Sequence, residues 1–246
     1  MKTNQFRDLT ILELSPEVNL AIACDSSASI GEKEHDTVKV DPGVTAACCL
    51  RVPLFELICV GAKPISIVDV IGNELEPTGK KMIAGIKREM KKAGLEDIPL
   101  NGSTEENMTT SMSSLGITVT GQFTEGFIKP EIRADDYLFQ LGEPLVGPEV
   151  VANLDSLCSY SELYQLKSET GVADLLPVGS KGMKYEGQLM ASENELSIVF
   201  HRPDERQLQQ SAGPSTVVLI AVSAKLKSEV VKKHPHLIEI GQFKHV

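Results

Sequence analysis

The sequence predicts a mixed α+β protein built from two domains. Its 246 residues exceed the roughly 100 to 150 residues of a common single domain, which favours two smaller ones. The first half alternates elements in the order strand, strand, helix, strand, helix, strand, strand. This order predicts a layer in which two helices cover one face of a sheet. The pattern pauses near Glu125 and Gly126, so we place a boundary there and predict domains at 1–125 and 126–246.

Composition argues against several classes of partner. The 24 basic and 34 acidic residues give a net charge of −10, which disfavours general binding to nucleic acid or to an anionic membrane surface. With no tryptophan and few aromatic residues, a base-stacking surface is not expected either. The longest apolar stretch, 44–62, is interrupted by Arg51, Pro53 and Glu56, so it is not predicted to span a membrane.

Cysteine usage and the N-terminal residues predict a cytoplasmic protein. The five cysteines form no Cys-x-x-Cys and have no metal-ligand spacing with the histidines, which is typical of reduced thiols. Residues 1–8 carry charge where a signal peptide would need an apolar core.

The first elements form a predicted hairpin that ends in a polar loop. Residues 9–14 and 19–24 are predicted strands joined by a turn at Ser15-Pro16-Glu17. A small-residue loop is predicted to follow over 25–36. It would bring backbone N–H groups, hydroxyls, a lysine and two aspartates to a strand end, which suits a phosphate chain with a divalent cation. Taken by itself, this loop has a purely structural turn as its alternative.

A buried helix is predicted next. Asp41 is a suitable N-cap, and Pro42 fits the first helical position. The helix is apolar nearly all round, which predicts burial, and Pro53 is expected to kink or split it. Gly61 and Pro64 then end it.

The rest of the first half predicts one amphipathic helix and three strands. The helix is predicted to begin at Pro77 and to end at Gly94, with one apolar face and one basic face. The strands are predicted at 65–71, 98–100 and 115–121. Between the last two lies the polar segment 101–107, in which Ser103 and Thr104 either cap a following helix, with Glu106 completing a capping box, or contribute to metal binding.

The second half contains predicted elements but no motif that identifies a ligand. Strands are predicted at 136–141, 216–222 and 237–243, helices at 148–157, 160–167 and 225–233, and a second small-residue loop at 175–182. A ligand-binding site in the second half is therefore not predicted.

Five acids are candidates for a shared cation site because each lies near an element end or beside a loop: Asp8, Asp25, Glu56, Glu105 and Glu106. Magnesium takes one or two carboxylates together with phosphate oxygens and water, so five are more than enough. The alternative is that most of them are solvated surface charges. Glu56 differs, since a carboxylate in an apolar helix needs a partner or a cation.

The sequence does not decide the roles of two basic side chains in the 25–36 loop. Lys33 either holds a phosphate as a point charge or is a solvated loop lysine. His35 is a phosphate contact, a proton carrier or a structural partner of Asp36. Serine-hydrolase, zinc-protease and Walker motifs do not occur.

Several segments, taken in order, resemble one family. Residues 24–27, 33–36 and 40–42 are similar to loops of the type T-D-G-V-G-T-K or T-D-S-F-V-V-D-P. The 55–64 segment resembles N-D-L-x-x-x-G-A-x-P, and 101–104 resembles G-G-E/D-T. Weaker similarities lie at 8–12, at Gly213 and at 217–222 and 240–243. These motifs belong to the superfamily of aminoimidazole ribonucleotide synthetase, thiamine-monophosphate kinase, selenophosphate synthetase and the hydrogenase maturation dehydratase.

The resemblance implies a PurM-like fold with an N-terminal α+β domain whose sheet forms a homodimer and a C-terminal α/β domain. It also implies use of ATP and Mg²⁺ to phosphorylate or activate an oxygen atom of a small-molecule substrate. Asp25 and Lys33 would be catalytic. The nucleotide would contact Ser26, Ser27, Ser29, Gly31, Lys33, Asn101, Gly102 and Thr104. The metal would contact Asp8, Asp25, Glu56, Glu105 and Glu106.

Departures from the family motifs point to a small-molecule kinase rather than the cyclo-ligase. Phe55 and Glu56 replace Asn-Asp, and Ser103 replaces the family acid, which leaves Glu105 or Glu106 as substitutes. The glycine-rich N-terminal segment of the synthetase is missing, and the chain is shorter than familiar members. The 101–111 segment resembles α-ribazole kinase, which implies phosphorylation of the 5′-hydroxyl of α-ribazole. The alternatives are an oxygen-activating cyclo-ligase and a nucleotide-binding regulator without chemistry.

Overall fold

A six-stranded sheet organises the first of the two units into which the chain divides, 1–127 and 128–246. The computed structural model describes residues 2–15, 17–201 and 205–246. The predicted turn at Ser15-Pro16-Glu17 includes Pro16, which lies outside the described residues. The predicted α+β class is confirmed, since both units combine sheets with helices.

The strands of the first unit, in chain order, are β1 (Lys2–Phe6), β2 (Leu9–Glu13), β3 (Asn19–Ala28), β4 (Ile30–Gly31), β5 (Val38–Lys39), β6 (Lys63–Ile71), β7 (Leu100–Thr104) and β8 (Ser114–Phe123). Six of them form the sheet in the order β1-β2-β3-β8-β6-β7, in which only β6 and β7 run parallel. The short β4 and β5 pair with each other.

One face of this sheet is covered by α1 (Pro42–Val60), and α2 (Lys80–Lys92) packs against α1. As predicted, the Asp41 side chain caps α1 by accepting from the Gly43 N–H (2.8 Å), and Gly61 ends it in a left-handed conformation with φ 85°. By length and composition α1 is apolar enough to span a membrane, yet 72% of its most apolar window is buried inside the protein. It is the core helix of the unit.

Several local predictions in this unit need correction. The 25–36 loop begins later than predicted, because β3 continues to Ala28 by pairing with β8. Of the two effects predicted for Pro53, the split does not occur, since α1 remains one helix, and the kink stays a prediction. The second helix begins at Lys80 rather than at Pro77, and a π-helical turn, Leu75–Gly79, precedes it.

The prediction for the 101–107 segment is also corrected. Residues 101–104 belong to the edge strand β7, whose backbone pairs with β6, so they are not a loop. No helix follows within the described residues 105–113, so Ser103 and Thr104 do not form the proposed helix cap.

The second unit contains a five-stranded antiparallel sheet in the order β10-β12-β9-β13-β11. Its strands are β9 (Tyr137–Gly142), β10 (Val172–Pro177), β11 (Leu196–Phe200), β12 (Val217–Val222) and β13 (Ile238–His245). Its helices are α3 (Pro148–Ala152), α4 (Tyr160–Ser168), α5 (Gly182–Ser192), α6 (Glu205–Gln209) and α7 (Lys227–Lys233). All residues of β12 are buried, as expected of its central, apolar sequence.

The sequence was less informative about this unit. The predicted helix over 148–157 is shorter, because α3 stops at Ala152 and a 3₁₀ turn, Leu154–Ser156, follows. The predicted loop over 175–182 begins inside β10. The helix α5 was not predicted at all, although it packs its buried Met183 and Met190 against the core of the unit.

Candidate functional site

Asp25 lies in β3 on the helix-covered face of the sheet. It is directly opposite the buried Ile117 of β8, so the two side chains point to the same side. The Cys49 thiol of α1 and the Ser26 backbone N–H both donate hydrogen bonds to the Asp25 carboxylate. Burial raises the pKa of Asp25, and these hydrogen bonds oppose the rise without cancelling it. A carboxylate offers about four lone-pair positions, so this one retains capacity for a cation or a further donor.

The predicted phosphate-contacting residues occupy the end of β3 and the turn after it. Ser26 is exposed and Ser27 partly buried, and they lie on opposite faces of the strand. Ser29 turns the chain with φ 62°, and its N–H donates to the Ser113 carbonyl (2.9 Å). A Cβ on the buried Gly31 would lie 2.2 Å from Ser113 Oγ, so this position requires glycine. Ser29 and Gly31 therefore fix the turn against the segment around Ser113.

Lys33 forms an ion pair rather than extending into solvent. Its Nζ lies 2.6 Å from Oε2 of Glu74, and both side chains are about three-quarters buried, with 21% and 27% exposure. Burial alone would raise the pKa of Glu74, but hydrogen bonds from Lys33 and Thr78 outweigh it and hold this pKa below its usual value. The pair places a cation beside the turn that follows β3.

Asp36 anchors the same turn to the segment before β8. Its carboxylate accepts hydrogen bonds from the backbone N–H and the hydroxyl of Ser113 and from the Lys33 N–H, each 2.7 Å long. Burial would raise the pKa of Asp36, but these hydrogen bonds and the charge of Lys39 outweigh it, so the pKa is lowered. The side chain of His35 is exposed, and its backbone N–H donates to the Ser111 carbonyl (2.9 Å).

The acids after β7 already accept hydrogen bonds from neighbouring groups. Glu105 Oε1 accepts from the Asn107 and Met108 backbone N–H groups (2.7 and 3.2 Å). Glu106 Oε1 accepts from the Leu75 N–H (2.8 Å) and the Thr104 hydroxyl (2.7 Å). Asn101 and Gly102, further back in β7, are exposed.

The five predicted metal-binding acids do not form one cluster. Asp8 is exposed in the turn between β1 and β2, and Glu56 is partly buried in α1. Across the part of the chain that the structure describes, no three side chains of His, Cys, Asp or Glu are grouped to hold a metal ion. Asp25 is therefore the member of the set whose surroundings best suit a ligand.

One site residue escaped sequence analysis. Asp69 in β6 is only 3% exposed and lines a cavity of about 500 Å³ beside β7. The cavity is bounded by β7, by Leu75 and by Ile83 and Lys87 of α2. An aspartate between the buried Ile67 and Ile71 of an apolar strand was the available indication.

The opposite face of the sheet is not covered by the helices. Cys24, Thr118 and Val68 are register partners across β3, β8 and β6 on this face, which we call the open face. Cys24 is exposed, as are Val68 (38%) and Val70 (59%). The open face thus presents apolar side chains on β3 and β6, with Thr118 of β8 between them.

Comparison with known proteins gives a family match within the first unit. Residues 7–123 match the family model described as AIR synthase related protein, N-terminal domain. A comparison with curated proteins gave no match.

Among solved structures, the whole chain matches PurL of Thermotoga maritima complexed with ADP (TM-score 0.69, 14% identity), covering 100% of this chain and 43% of that one. It matches thiamine monophosphate kinase of Aquifex aeolicus (TM-score 0.69, 12% identity), covering 98% and 90%. It also matches AaThiL complexed with AMPPCP and TMP (TM-score 0.67, 12% identity), covering 97% and 85%. The chain thus spans less than half the length of PurL and most of the length of the kinase. At these identities the likeness establishes a shared fold.

Proposed function

We propose that the protein is an ATP-dependent enzyme that transfers a phosphoryl group to an oxygen of a small molecule. The proposal starts from residues 7–123, which match the family model described as AIR synthase related protein, N-terminal domain. The observation that carries the proposal is Asp25, a half-buried carboxylate with spare lone pairs beside the polar end of β3. Two of the structures with the same fold hold ADP or the ATP analogue AMPPCP. The kinase from A. aeolicus, also of this fold, covers nearly the same length.

Asp25 fits a magnesium ion better than the other predicted ligands do. Magnesium keeps several waters and needs one or two carboxylates plus phosphate oxygens, so a single well-placed aspartate is a sufficient protein contribution. Glu105 and Glu106 each accept two hydrogen bonds through Oε1, so they would contribute at most a second carboxylate through Oε2. Asp8 and Glu56 would support the ion from outside this group. When bound, the ion would neutralise charge that develops on the phosphate.

Lys33 would supply the second charge on the nucleotide. Its ammonium group is held beside the turn after β3 by Glu74, so its position is fixed before any nucleotide arrives. Ser26 and Ser27 would contact the rest of the nucleotide through hydroxyl and backbone groups. Asn101, Gly102 and Thr104, which the family resemblance assigned to the nucleotide, line the cavity beside Asp69 instead. Catalysis would consist mainly of positioning and charge neutralisation, which is usual for phosphoryl transfer.

The finer proposal names the acceptor. The segment 101–111, with its run of hydroxyl and amide side chains, is the basis for choosing α-ribazole, which would be phosphorylated on its 5′-hydroxyl. The test is a phosphorylation screen with labelled ATP and Mg²⁺ over nucleosides and vitamin precursors that include α-ribazole. We expect a labelled phosphomonoester of one acceptor.

Asp25→Asn should lower this turnover at least about a hundredfold, while Asp97→Asn, an exposed acid after α2, should leave it unchanged. If Asp25→Asn retains wild-type turnover, the assigned site is wrong.

Two other functions are distinguished by the same screen. An oxygen-activating cyclo-ligase would release free phosphate together with a new covalent bond in the product, whereas a kinase leaves a stable phosphomonoester. A regulator without chemistry, which Phe55 and Ser103 at motif positions suggest, would bind ATP without turning over any acceptor.

The homodimer belongs to this proposal as well. The open face, with Cys24 at its centre and the exposed Val68 and Val70 beside it, is the surface on which a second copy would pack. Alkylation of Cys24 by iodoacetamide should then slow as protein concentration rises through the dimer dissociation constant. Concentration-independent alkylation, with a monomeric mass by ultracentrifugation, would contradict the homodimer.

All five cysteines are free thiols, which supports a reducing, cytoplasmic location.

A further inference from the structure

The Asp69 carboxylate is exceptional among the buried aspartates of the described chain. Asp36 accepts from Ser113, Asp136 accepts from the Arg133 and Ala224 N–H groups, and Asp174 accepts from the Leu175 N–H. Asp69 is as buried as these three, and burial is the sole cause of its raised pKa, with no hydrogen bond from a described residue to lower it. A carboxylate to which the protein supplies no donor, at the wall of a cavity, is free to accept hydrogen bonds from whatever occupies that cavity.

The neighbouring strand is built around this carboxylate. Gly102 of β7 is the register partner of Asp69, and a Cβ on Gly102 would lie 2.3 Å from Oδ1 and 2.5 Å from Oδ2 of Asp69. Any other residue at this position would push the carboxylate aside. The glycine therefore allows Asp69 to lie against the backbone of β7, at the wall of the cavity.

The lining of the cavity suits an organic molecule. Asp69 is the one carboxylate among its described lining residues, and Leu75, Ile83 and Leu100 contribute apolar surface. Lys87 on α2 places a cation at the cavity, and Ser103 and Thr104 provide hydroxyl groups. A volume of about 500 Å³ lies within the range of about 300–1,000 Å³ that small-molecule sites occupy.

The charge of Asp69 also indicates which part of a ligand it contacts. A carboxylate repels phosphate oxygens at direct contact, so the triphosphate of ATP is not the group that hydrogen-bonds to Asp69. Hydroxyl and N–H groups are its complement, because each donates a hydrogen bond that Asp69 lacks in the free protein.

We infer that the cavity binds the acceptor of the phosphoryl transfer, a small hydroxylated heterocycle or sugar derivative whose O–H or N–H groups donate hydrogen bonds to Asp69 while its apolar part packs on Leu75 and Ile83. An anionic substituent would extend to Lys87. The role of the ligand as phosphoryl acceptor rests on the proposed function, whereas the existence of the site is tested by ligand binding alone. The specificity-determining residue is Asp69, and Gly102 is a positioning residue that acts through it.

The test measures binding separately from turnover. Ribose, inosine, thiamine and α-ribazole are titrated against the full chain by saturation-transfer NMR and calorimetry, and AMPPCP with Mg²⁺ is titrated in parallel. We expect at least one of the four probes to bind. Asp69→Asn should weaken that binding at least about tenfold because the charged acceptor of its hydrogen bonds is lost, while AMPPCP binding changes less than about twofold. Asp97→Asn is the matched control, and both affinities should match the wild type.

A second variant protects the test from a folding artefact. Gly102→Ala should displace the Asp69 carboxylate and reproduce the loss of probe binding, with unchanged circular dichroism. The inference is overturned if no probe binds the wild type at millimolar concentration, if Asp69→Asn binds the probe as tightly as the wild type, or if AMPPCP binding falls equally. Asp69-dependent probe binding without phosphoryl transfer would refute the proposed kinase activity and leave the ligand site standing.

Discussion

Asp25 of β3 and Asp69 of β6 are register partners of the same residue, Ile117 of the intervening strand β8. Two interstrand spacings separate them, roughly 10 Å, and both lie on the helix-covered face. Burial raises the pKa of each carboxylate. Two acids that destabilise the fold thus flank one apolar residue in the middle of the sheet, an arrangement that suits a ligand site better than a core.

Replacing Asp69 by asparagine should stabilise the protein at neutral pH. The folded-state pKa of Asp69 lies above its unfolded value of about 3.9, so the ionised folded state is penalised. Stability is therefore unaffected by this group below about pH 4 and falls as the pH rises through the folded pKa. The melting temperature of Asp69→Asn should exceed that of the wild type at pH 8, and the difference should vanish near pH 4. A lower melting temperature at pH 8 would show that the carboxylate is a structural element.

Asp36→Asn should have the opposite effect. The pKa of Asp36 is lowered in the folded state, so its contribution is present above pH 4 and is lost as the pH falls through the folded pKa. Losing charge-assisted hydrogen bonds to Ser113 and Lys33 should cost about 1.5–3 kcal/mol at pH 7. Urea unfolding at pH 7 and pH 2.5 measures this, with the exposed Asp97→Asn as control. An equal loss at both pH values would contradict the charge-based explanation.

Variants of Lys33 and Glu74 should move nucleotide affinity in different directions. Lys33→Met removes the cation and should weaken AMPPCP–Mg²⁺ binding at least about tenfold. Glu74→Gln leaves the cation and removes its competitor for phosphate, so binding should be unchanged or tighter. Calorimetry measures both, with Lys92→Met on the exposed end of α2 as control. If both variants weaken binding alike, the ion pair is structural and Lys33 does not contact phosphate.

Gly85→Ala should test the contact between the two helices of the first unit. A Cβ on Gly85 would lie 1.9 Å from the Gly43 carbonyl oxygen, a backbone atom that cannot yield unless α1 and α2 separate. We expect a loss of about 1–3 kcal/mol, and each kcal/mol lowers the melting temperature by about 2–4 °C at this chain length. The exposed Ala84→Ser on the same helix should change stability by less than about 0.5 kcal/mol. A wild-type melting temperature for Gly85→Ala would show that the helices are not in close contact there.

Local features of the sequence were sufficient for the two ends of α1. Asp41 with Pro42, and Gly61 with the following turn, predict both ends of α1 because capping depends on a few neighbouring residues. Strand ends were less predictable. The polar tail of β3 and the residues of β7 look like loops in sequence, and they become strands because distant partners in β8 and β6 satisfy their backbone groups.

The candidate site divides in the same way. Asp25 and Lys33 were found because they lie in a polar segment with a family resemblance, and their roles remain predictions. Asp69 was missed because the sequence of β6 does not show which residue of the neighbouring strand lies opposite Asp69, or that this residue is a glycine. Only the register between β6 and β7 places Gly102 against Asp69 and makes room for the carboxylate.

By itself, the sequence determined the α+β class, the order of seven elements of the first unit and the family resemblance, while β1, β4 and β5 were not predicted. The features that it determined follow from periodicity, capping residues and short motifs, all of which act within a few residues of each other. The tertiary structure decided that Asp25 and Asp69 flank Ile117 and that Lys33 pairs with Glu74. Strand register and loop docking join residues that are 41 to 92 positions apart, and burial and hydrogen bonding at such distances are set by the fold as a whole.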